Sequence, residues 1–431
     1  MSVNWKAVAA LALLLSGPAF AAEEPGISAT EIKIGGVFPF SGPASSIGLV
    51  GKGVMAYIQS VNDRGGINGR KINYIAYDDA YSPPKAVEHV RKLVESDEVS
   101  FMFGQLGTPG ISATAKYLRS KGVPSIAIIS GSSKFTDVAN YPLTTTGLVS
   151  YDTEGKIYAK YLTKALPNAK YAILYQNDDY GKDYLKGFKD GLGAKAASMI
   201  VIEESYEVSA PTIDSHIVKM KSAGADVFFN ITTPKFAAQA IKKNMEIGWK
   251  PLHFLNNVSA SKLLVLEPAG LDKSQGLIST AYFKDPASPE WENDDSMMEF
   301  KDALAEYEPR ANPEDPFCVF GWAAAQTMVE ALKGMEEPTR KAIDQFELAV
   351  KLDPKFLQAF AKLAEVGSQY YFFFDRSPAR LEGVRSAVDR AMRAIWAQVC
   401  CRTGPVQSVV RSRVSSCSSR SGFRSGTGCS K

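Results

Sequence analysis

From residue 31 onward, short apolar runs alternate with longer segments whose apolar positions recur every three or four residues. Residues 32–38 (IKIGGVF) read as a buried strand, and residues 48–63 as a helix with Val50, Val54, Ile58 and Val61 on one face. The run Arg64-Gly65-Gly66-Ile67-Asn68-Gly69 then supplies a stop and a turn, because Gly and Asn tolerate positive φ. Strands are predicted at 71–77, 99–103 and 125–129, with helices at 84–96 and 111–121 between them. A second series places helices at 153–166, 183–192, 213–223 and 236–247 among strands at 171–176, 199–206, 226–230 and 252–256. Two further helices are predicted at 297–307 and 319–332, as cover for the first sheet.

Strands separated by helical crossovers make parallel sheets covered on both faces. The pattern therefore predicts an α/β fold of two doubly wound parallel-sheet lobes joined by a hinge. We place lobe 1 at residues 31–147, lobe 2 at 148–279, and a return to lobe 1 at 280–334.

The two ends of the chain depart from this pattern. Residues 1–22 combine Lys6, an apolar run at 7–15, a Ser16-Gly17-Pro18 breaker and Ala19-Phe20-Ala21. That is the layout of a cleaved secretory signal, and its apolar run is far short of the ~20 residues a spanning helix needs. The remainder contains no comparable run, so an exported, periplasmic location is expected. Residues 339–396 form a short all-α segment resembling tetratricopeptide helices, with Ala349 and Ala391 at equivalent positions. Residues 400–431 contain five Arg and one Lys, no acidic residue and few apolar ones. Such a composition cannot bury enough surface to fold, so a disordered basic tail is expected.

Charge and cysteine counts exclude several functions. The net charge of +3 comes from the tail, which leaves the rest of the chain mildly acidic and gives no reason to expect nucleic-acid binding. Of five cysteines only Cys318 precedes residue 400, so neither a disulfide framework nor a Cys/His metal cluster is expected in the body. The three histidines, His89, His216 and His253, form no catalytic arrangement, and G-x-S-x-G is absent. Gly48–Gly53 lacks the hydroxyl residue that a phosphate loop places after its lysine. Asp78-Asp79 reads as turn capping rather than a catalytic pair. No enzyme activity and no cofactor are expected.

Several ordered motifs carry a family resemblance. Ile32-Lys33-Ile34-Gly35, Ser41-Gly42-Pro43, Asn62–Gly69 and Tyr77-Asp78-Asp79-Ala80 are followed by Thr145-Thr146-Gly147 and the run Tyr175–Lys182 (YQNDDYGK). Ala238-Gln239-Ala240 and Gly248-Trp249 continue the series. From about residue 32 to Lys333 the chain resembles the leucine/isoleucine/valine-type periplasmic solute-binding proteins of ABC importers. The resemblance implies a type I Venus-flytrap fold, a small carboxylate ligand, inner-membrane permease partners and a monomer.

Open parallel sheets bind ligands beyond the carboxyl ends of their strands, where helix N-termini present free N–H groups to anions. Two loops fit that description: Gly104–Thr108, containing Leu106, and Ser130–Ser133. The resemblance implies that Thr108, Ser130, Gly131 and Ser132 hold the ligand carboxylate. It further implies that Tyr180 closes over the ligand and that Thr232, Asn256 and Asn257 face it from lobe 2. Ile47, beside the first strand-to-helix loop, is expected in the side-chain pocket.

One departure bears on the ligand. Amino-acid-binding members of the family hold the ammonium with acidic side chains, yet residues 254–259 contain no Asp or Glu. A branched-chain amino acid and an aromatic or aliphatic acid both stay open as ligands. Two other functions also stay open: a sensing or interaction module using the C-terminal helices, and a truncated fusion without function.

Overall fold

The computed structural model describes residues 24–335. The expected signal at 1–22, the tetratricopeptide-like helices at 339–396 and the tail at 400–431 lie outside the described residues. None of the described helices is long and apolar enough to cross a membrane.

The described residues form two parallel α/β layers. The first sheet contains β1 (Glu31–Phe38), β2 (Lys71–Asp78), β3 (Phe101–Phe103), β4 (Ser125–Ile128) and β5 (Thr144–Thr146), in the order β2-β1-β3-β4-β5. The second contains β6 (Tyr171–Gln176), β7 (Ile200–Tyr206), β8 (Val227–Ile231) and β9 (Leu252–Leu255), in the order β7-β6-β8-β9. All the strand pairs are parallel. Each sheet reverses its winding beside its first strand, between β1 and β3 and between β6 and β8. Such a switch point leaves a crevice at the carboxyl ends.

The principal helices are α1 (Val50–Asp63), α2 (Pro83–Glu95), α3 (Thr108–Lys121), α4 (Tyr151–Ala165), α5 (Asp179–Leu192), α6 (Asp214–Ser222), α7 (Pro234–Glu246), α8 (Asp295–Tyr307) and α9 (Pro316–Lys333). The faint phosphate-loop pattern at Gly48–Gly53 runs into α1, and its glycines serve packing instead. A Cβ on Gly53 would lie 1.9 Å from the Cys318 carbonyl oxygen, and one on Gly321 would lie 1.9 Å from that of Val50. Glycine on both helices therefore lets the backbones of α1 and α9 touch. Around this contact Val54, Tyr57, Ile58, Phe300, Leu304, Trp322 and Val329 form one buried cluster with Ile32 and Ile34 of β1. The Tyr57 and Trp322 rings meet edge to face at 4.7 Å.

Among the described residues the chain crosses twice between the layers, after β5 and again after residue 278. There the Ile278 N–H donates to the His253 carbonyl and the Leu255 N–H donates to the Ile278 carbonyl. His253 itself is a core residue on β9. Its ring lies 3.2 Å from the Asn230 amide and 3.4 Å from the Asn244 amide, and burial lowers its pKa to about 3, so it stays neutral.

Asp315 caps α9 by accepting the Phe317 N–H at 2.8 Å, while its other carboxylate oxygen is buried without a hydrogen-bond partner. Burial raises this carboxyl from its ordinary 3.8 to about 6. The folded chain thus holds the proton more tightly than the unfolded chain. Stability from this group is complete below about pH 4 and is lost as pH rises towards 6. Asp315→Asn keeps the capping oxygen and removes the buried charge. It is expected to stabilise the protein by about 2–3 kcal/mol at pH 7 and by almost nothing at pH 4, as read from denaturant midpoints at the two values.

Candidate functional site

The carboxyl ends of both sheets face one cleft of about 600 Å³, counting the part open to solvent. The first sheet and its helices contribute Ile47, Val50, Tyr81, Leu106, Gly107, Thr108, Ile129, Phe317 and Phe320 to its wall. The second contributes Tyr151, Tyr180, Thr233, Asn257 and Val258, and the crossing segments contribute Leu148, Tyr282 and Phe283. Among the described residues, no side chain lining the cleft is acidic or basic.

The polar end of the cleft is built where β3 runs into α3. Gly107 turns the chain with φ of +107°, a conformation that favours glycine, and a Cβ there would press on the Tyr81 ring at 3.0 Å. Thr108 then opens α3, with Pro109 in its first turn. Its Oγ1 lies 2.7 Å from Ser130 Oγ in the loop after β4, and both residues are buried. Tyr151, the first residue of α4, approaches from the other lobe. Its backbone N–H donates to the Gly131 carbonyl at 2.8 Å. Burial pushes the Tyr151 phenol up to about 12, against the pull of the Gly131 backbone and of the Ser130 and Thr108 hydroxyls beside it. The phenol is thus a neutral donor at pH 7. Three hydroxyls and the N-terminus of a 14-residue helix converge here, which is a donor set for an anion.

The opposite wall is aromatic. Asp178 accepts the Tyr180 and Gly181 N–H groups at 3.0 and 3.2 Å and so fixes the start of α5. Burial raises its carboxyl above the usual range. Tyr180 directs its hydroxyl into the second lobe, donating to Asn256 Oδ1 at 3.0 Å, and its ring meets Tyr151 edge to face at 5.1 Å. Its contribution to the cleft is ring surface. Tyr81 is held in place by the Asp78-Asp79 turn. Asp78 accepts from Ser41 N and Ala80 N, Asp79 accepts from Tyr81 N at 2.8 Å, and burial pushes Asp79 up to about 6.

The lobes also touch beside the cleft. The Gln176 amide donates to the Tyr81 hydroxyl at 3.3 Å, and Asp183 accepts both the backbone N–H and the hydroxyl of Ser133, at 2.8 and 2.5 Å. Lys134 pairs with Asp179.

Of the residues expected from the sequence, Ile47, Leu106, Thr108, Tyr180 and Asn257 line the cleft. Ser130 stands directly behind Thr108, Gly131 supports Tyr151, and buried Ser132 donates its N–H to Ser130 Oγ at 3.3 Å. Two others point away. Thr232 is fully buried and donates to Asn230 Oδ1 at 2.6 Å, and its neighbour Thr233 lines the cleft instead. Asn256 is also fully buried, with its amide donating to the Asn230 and Thr232 carbonyls at 3.0 and 2.9 Å. It orients Tyr180 from behind. Tyr81, Tyr151, Tyr282, Phe283, Phe317 and Phe320 were not anticipated. They sit on four separate segments, and no spacing pattern joins them.

Comparison with known proteins places this geometry. The family model described as periplasmic binding protein matches residues 31–365. The match runs past Lys333, where the sequence motifs end, and into the segment expected to be tetratricopeptide-like. The chain is 25% identical over 353 residues to the Leu/Ile/Val-binding protein of Citrobacter freundii, covering 79% of this chain and 88% of that one. A substrate-binding periplasmic protein from Ralstonia solanacearum has the same fold, with a TM-score of 0.66 at 24% identity, covering 73% of this chain and 88% of its own. So does a branched-chain amino acid ABC transporter protein from Thermus thermophilus with bound valine. Its TM-score is 0.65 at 18% identity, covering 74% of this chain and 83% of its own.

Proposed function

The chain belongs to the periplasmic binding protein family, whose members bind solutes rather than convert them, and on that premise we propose that its cleft captures a small carboxylic acid with an apolar body. In this reading the protein works in the periplasm after loss of residues 1–22, as a monomer that delivers its ligand to the membrane subunits of an ABC importer. The observation that carries the reading is the composition of the cleft. Hydroxyls of Thr108, Ser130 and Tyr151 converge at a helix N-terminus at one end, and aromatic and aliphatic side chains form the rest.

Such a site holds an anion without a cationic side chain. Charge-assisted hydrogen bonds contribute roughly 1.5–3 kcal/mol each, and the helix terminus adds to them in a water-poor cleft. The apolar walls contribute about 25 cal/mol for each Å² of ligand surface they cover. Residues from both lobes meet the same ligand, so binding favours the closed arrangement. Because no lining side chain is acidic, an aromatic or branched aliphatic acid without an ammonium fits the cleft best. The names of the Citrobacter relative and the valine-bound Thermus structure support the second reading, a branched-chain amino acid.

Calorimetric titration of the purified protein with branched-chain amino acids, the corresponding acids lacking the amino group, and aromatic acids tests the proposal. Saturable binding of one class with a Kd of about 1 μM or tighter is expected, equivalent to about 8 kcal/mol. No saturable heat with any of these acids would overturn it.

A further inference from the structure

Glu154, on the first turn of α4, is only 2% exposed and takes no part in the anion site. Its carboxyl accepts the Tyr184 hydroxyl at 2.6 Å, the Thr280 hydroxyl at 2.9 Å and the Asn257 backbone N–H at 2.9 Å. The Asn257 side-chain amide also donates to it, and donates to the Tyr184 hydroxyl at 3.0 Å. Of these donors only Asn257 belongs to the cleft wall. Asn257 therefore links the cleft wall to a buried carboxyl. Asp178, a half-buried carboxyl of the second lobe, is already engaged by the N–H groups of Tyr180 and Gly181 and by the Gln176 amide at 2.6 Å.

We propose that Asn257 is a selectivity residue: its amide occupies the cleft-facing acceptor site of Glu154, so the cleft offers no partner to an α-ammonium and selects acids that lack one. The inference rests on the binding reading above and names the ligand class for the same site. The chemistry is an exchange of donors. An amide N–H₂ and an ammonium are both nitrogen donors, and each can satisfy the same carboxylate oxygen. While Asn257 is present, an ammonium entering the cleft gives up its water and gains no anionic contact, which is costly. Once the amide is removed, Glu154 has a vacant acceptor site facing the ligand, and an ammonium gains a charge-assisted partner. The deaminated acid gains nothing from the same change.

The test compares matched pairs that differ only in the amino group, leucine with 4-methylpentanoate and phenylalanine with 3-phenylpropanoate. Their binding to wild-type, N257A, N257G and N257A/E154Q proteins is measured by calorimetry, with thermal melts to confirm folding. The wild-type protein is expected to favour the deaminated member of a pair at least tenfold. N257A should cut that preference at least tenfold by gaining affinity for the amino acid, and adding E154Q should abolish the gain. Should N257A fail to fold, N257G carries the test, because glycine has no side chain to donate to Glu154. A wild-type preference for the amino acid, or a preference that stays within threefold of wild type in the folded Asn257 variants, overturns the inference and leaves the receptor reading intact. Failure of the wild-type protein to bind either member of both pairs or any other acid removes both.

Discussion

Thr108→Ala is expected to weaken ligand binding about 10- to 100-fold, the loss of one charge-assisted hydrogen bond of roughly 1.5–3 kcal/mol. Thr108 opens α3, and its Oγ1 lies 2.7 Å from Ser130 Oγ, with Tyr151 alongside. Removing the hydroxyl takes one donor from the anion site and also leaves Ser130 without its hydroxyl partner. Thr108→Ser keeps the oxygen and should bind within about threefold of wild type. Ser130→Ala should resemble Thr108→Ala. The double variant should lose less than the product of the two, because residues in direct contact do not act independently. Calorimetry with the ligand identified by titration checks all four proteins. A Thr108→Ala protein that binds within twofold of wild type would show that the carboxylate sits elsewhere.

Gly321→Val is expected to cost about 3 kcal/mol or more, a large share of the stability of an ordinary domain. Even a Cβ at this position would lie 1.9 Å from the Val50 carbonyl oxygen, and Gly53 makes the reciprocal approach to Cys318. That obstacle is backbone, so no side chain can swing aside to relieve it. The helices must separate, and the buried cluster around Tyr57, Trp322 and Phe300 opens with them. Ala323→Val, two residues on and exposed, serves as the control and should change the denaturant midpoint by no more than about 0.5 kcal/mol. Equal midpoints for the two variants would contradict the close-packing account.

Much of the architecture is legible in the sequence because burial on two faces leaves an unmistakable record in parallel strands. Tyr171–Gln176 is an uninterrupted apolar-rich run, and it forms β6 with those bounds. The starts of helices are harder. Read from apolar spacing, α3 begins at Ile111 and α5 at Asp183, whereas they begin at Thr108 and Asp179. Gly, Pro, Thr and Asp resemble loop residues, yet they are the residues that open a helix, and here these first turns carry Thr108 and Tyr180. β5 escapes notice for a different reason. Thr144–Thr146 has no apolar alternation and becomes a strand only through pairing with β4.

Within the cleft, the legible residues sit in the loops and first helical turns that follow strands. The illegible ones are aromatic residues on helices and crossings. Phe317 precedes the helix read at 319–332 and Phe320 falls in its first turn, so neither is tied to the end of a strand. Thr232 and Asn256 show the limit of reading by neighbourhood: a shift of one residue at a strand end turns a side chain from the cleft into the lobe.

The contact between Leu49 and Cys318, which are 269 positions apart, also bears on how the molecule is made. Until α9 leaves the ribosome, β1 and α1 have no lid, and the apolar face that will meet Trp322 stays uncovered. Long-range closure of this kind is slow. The first layer is therefore expected to reach its packed state only after the last of its covering helices has been made.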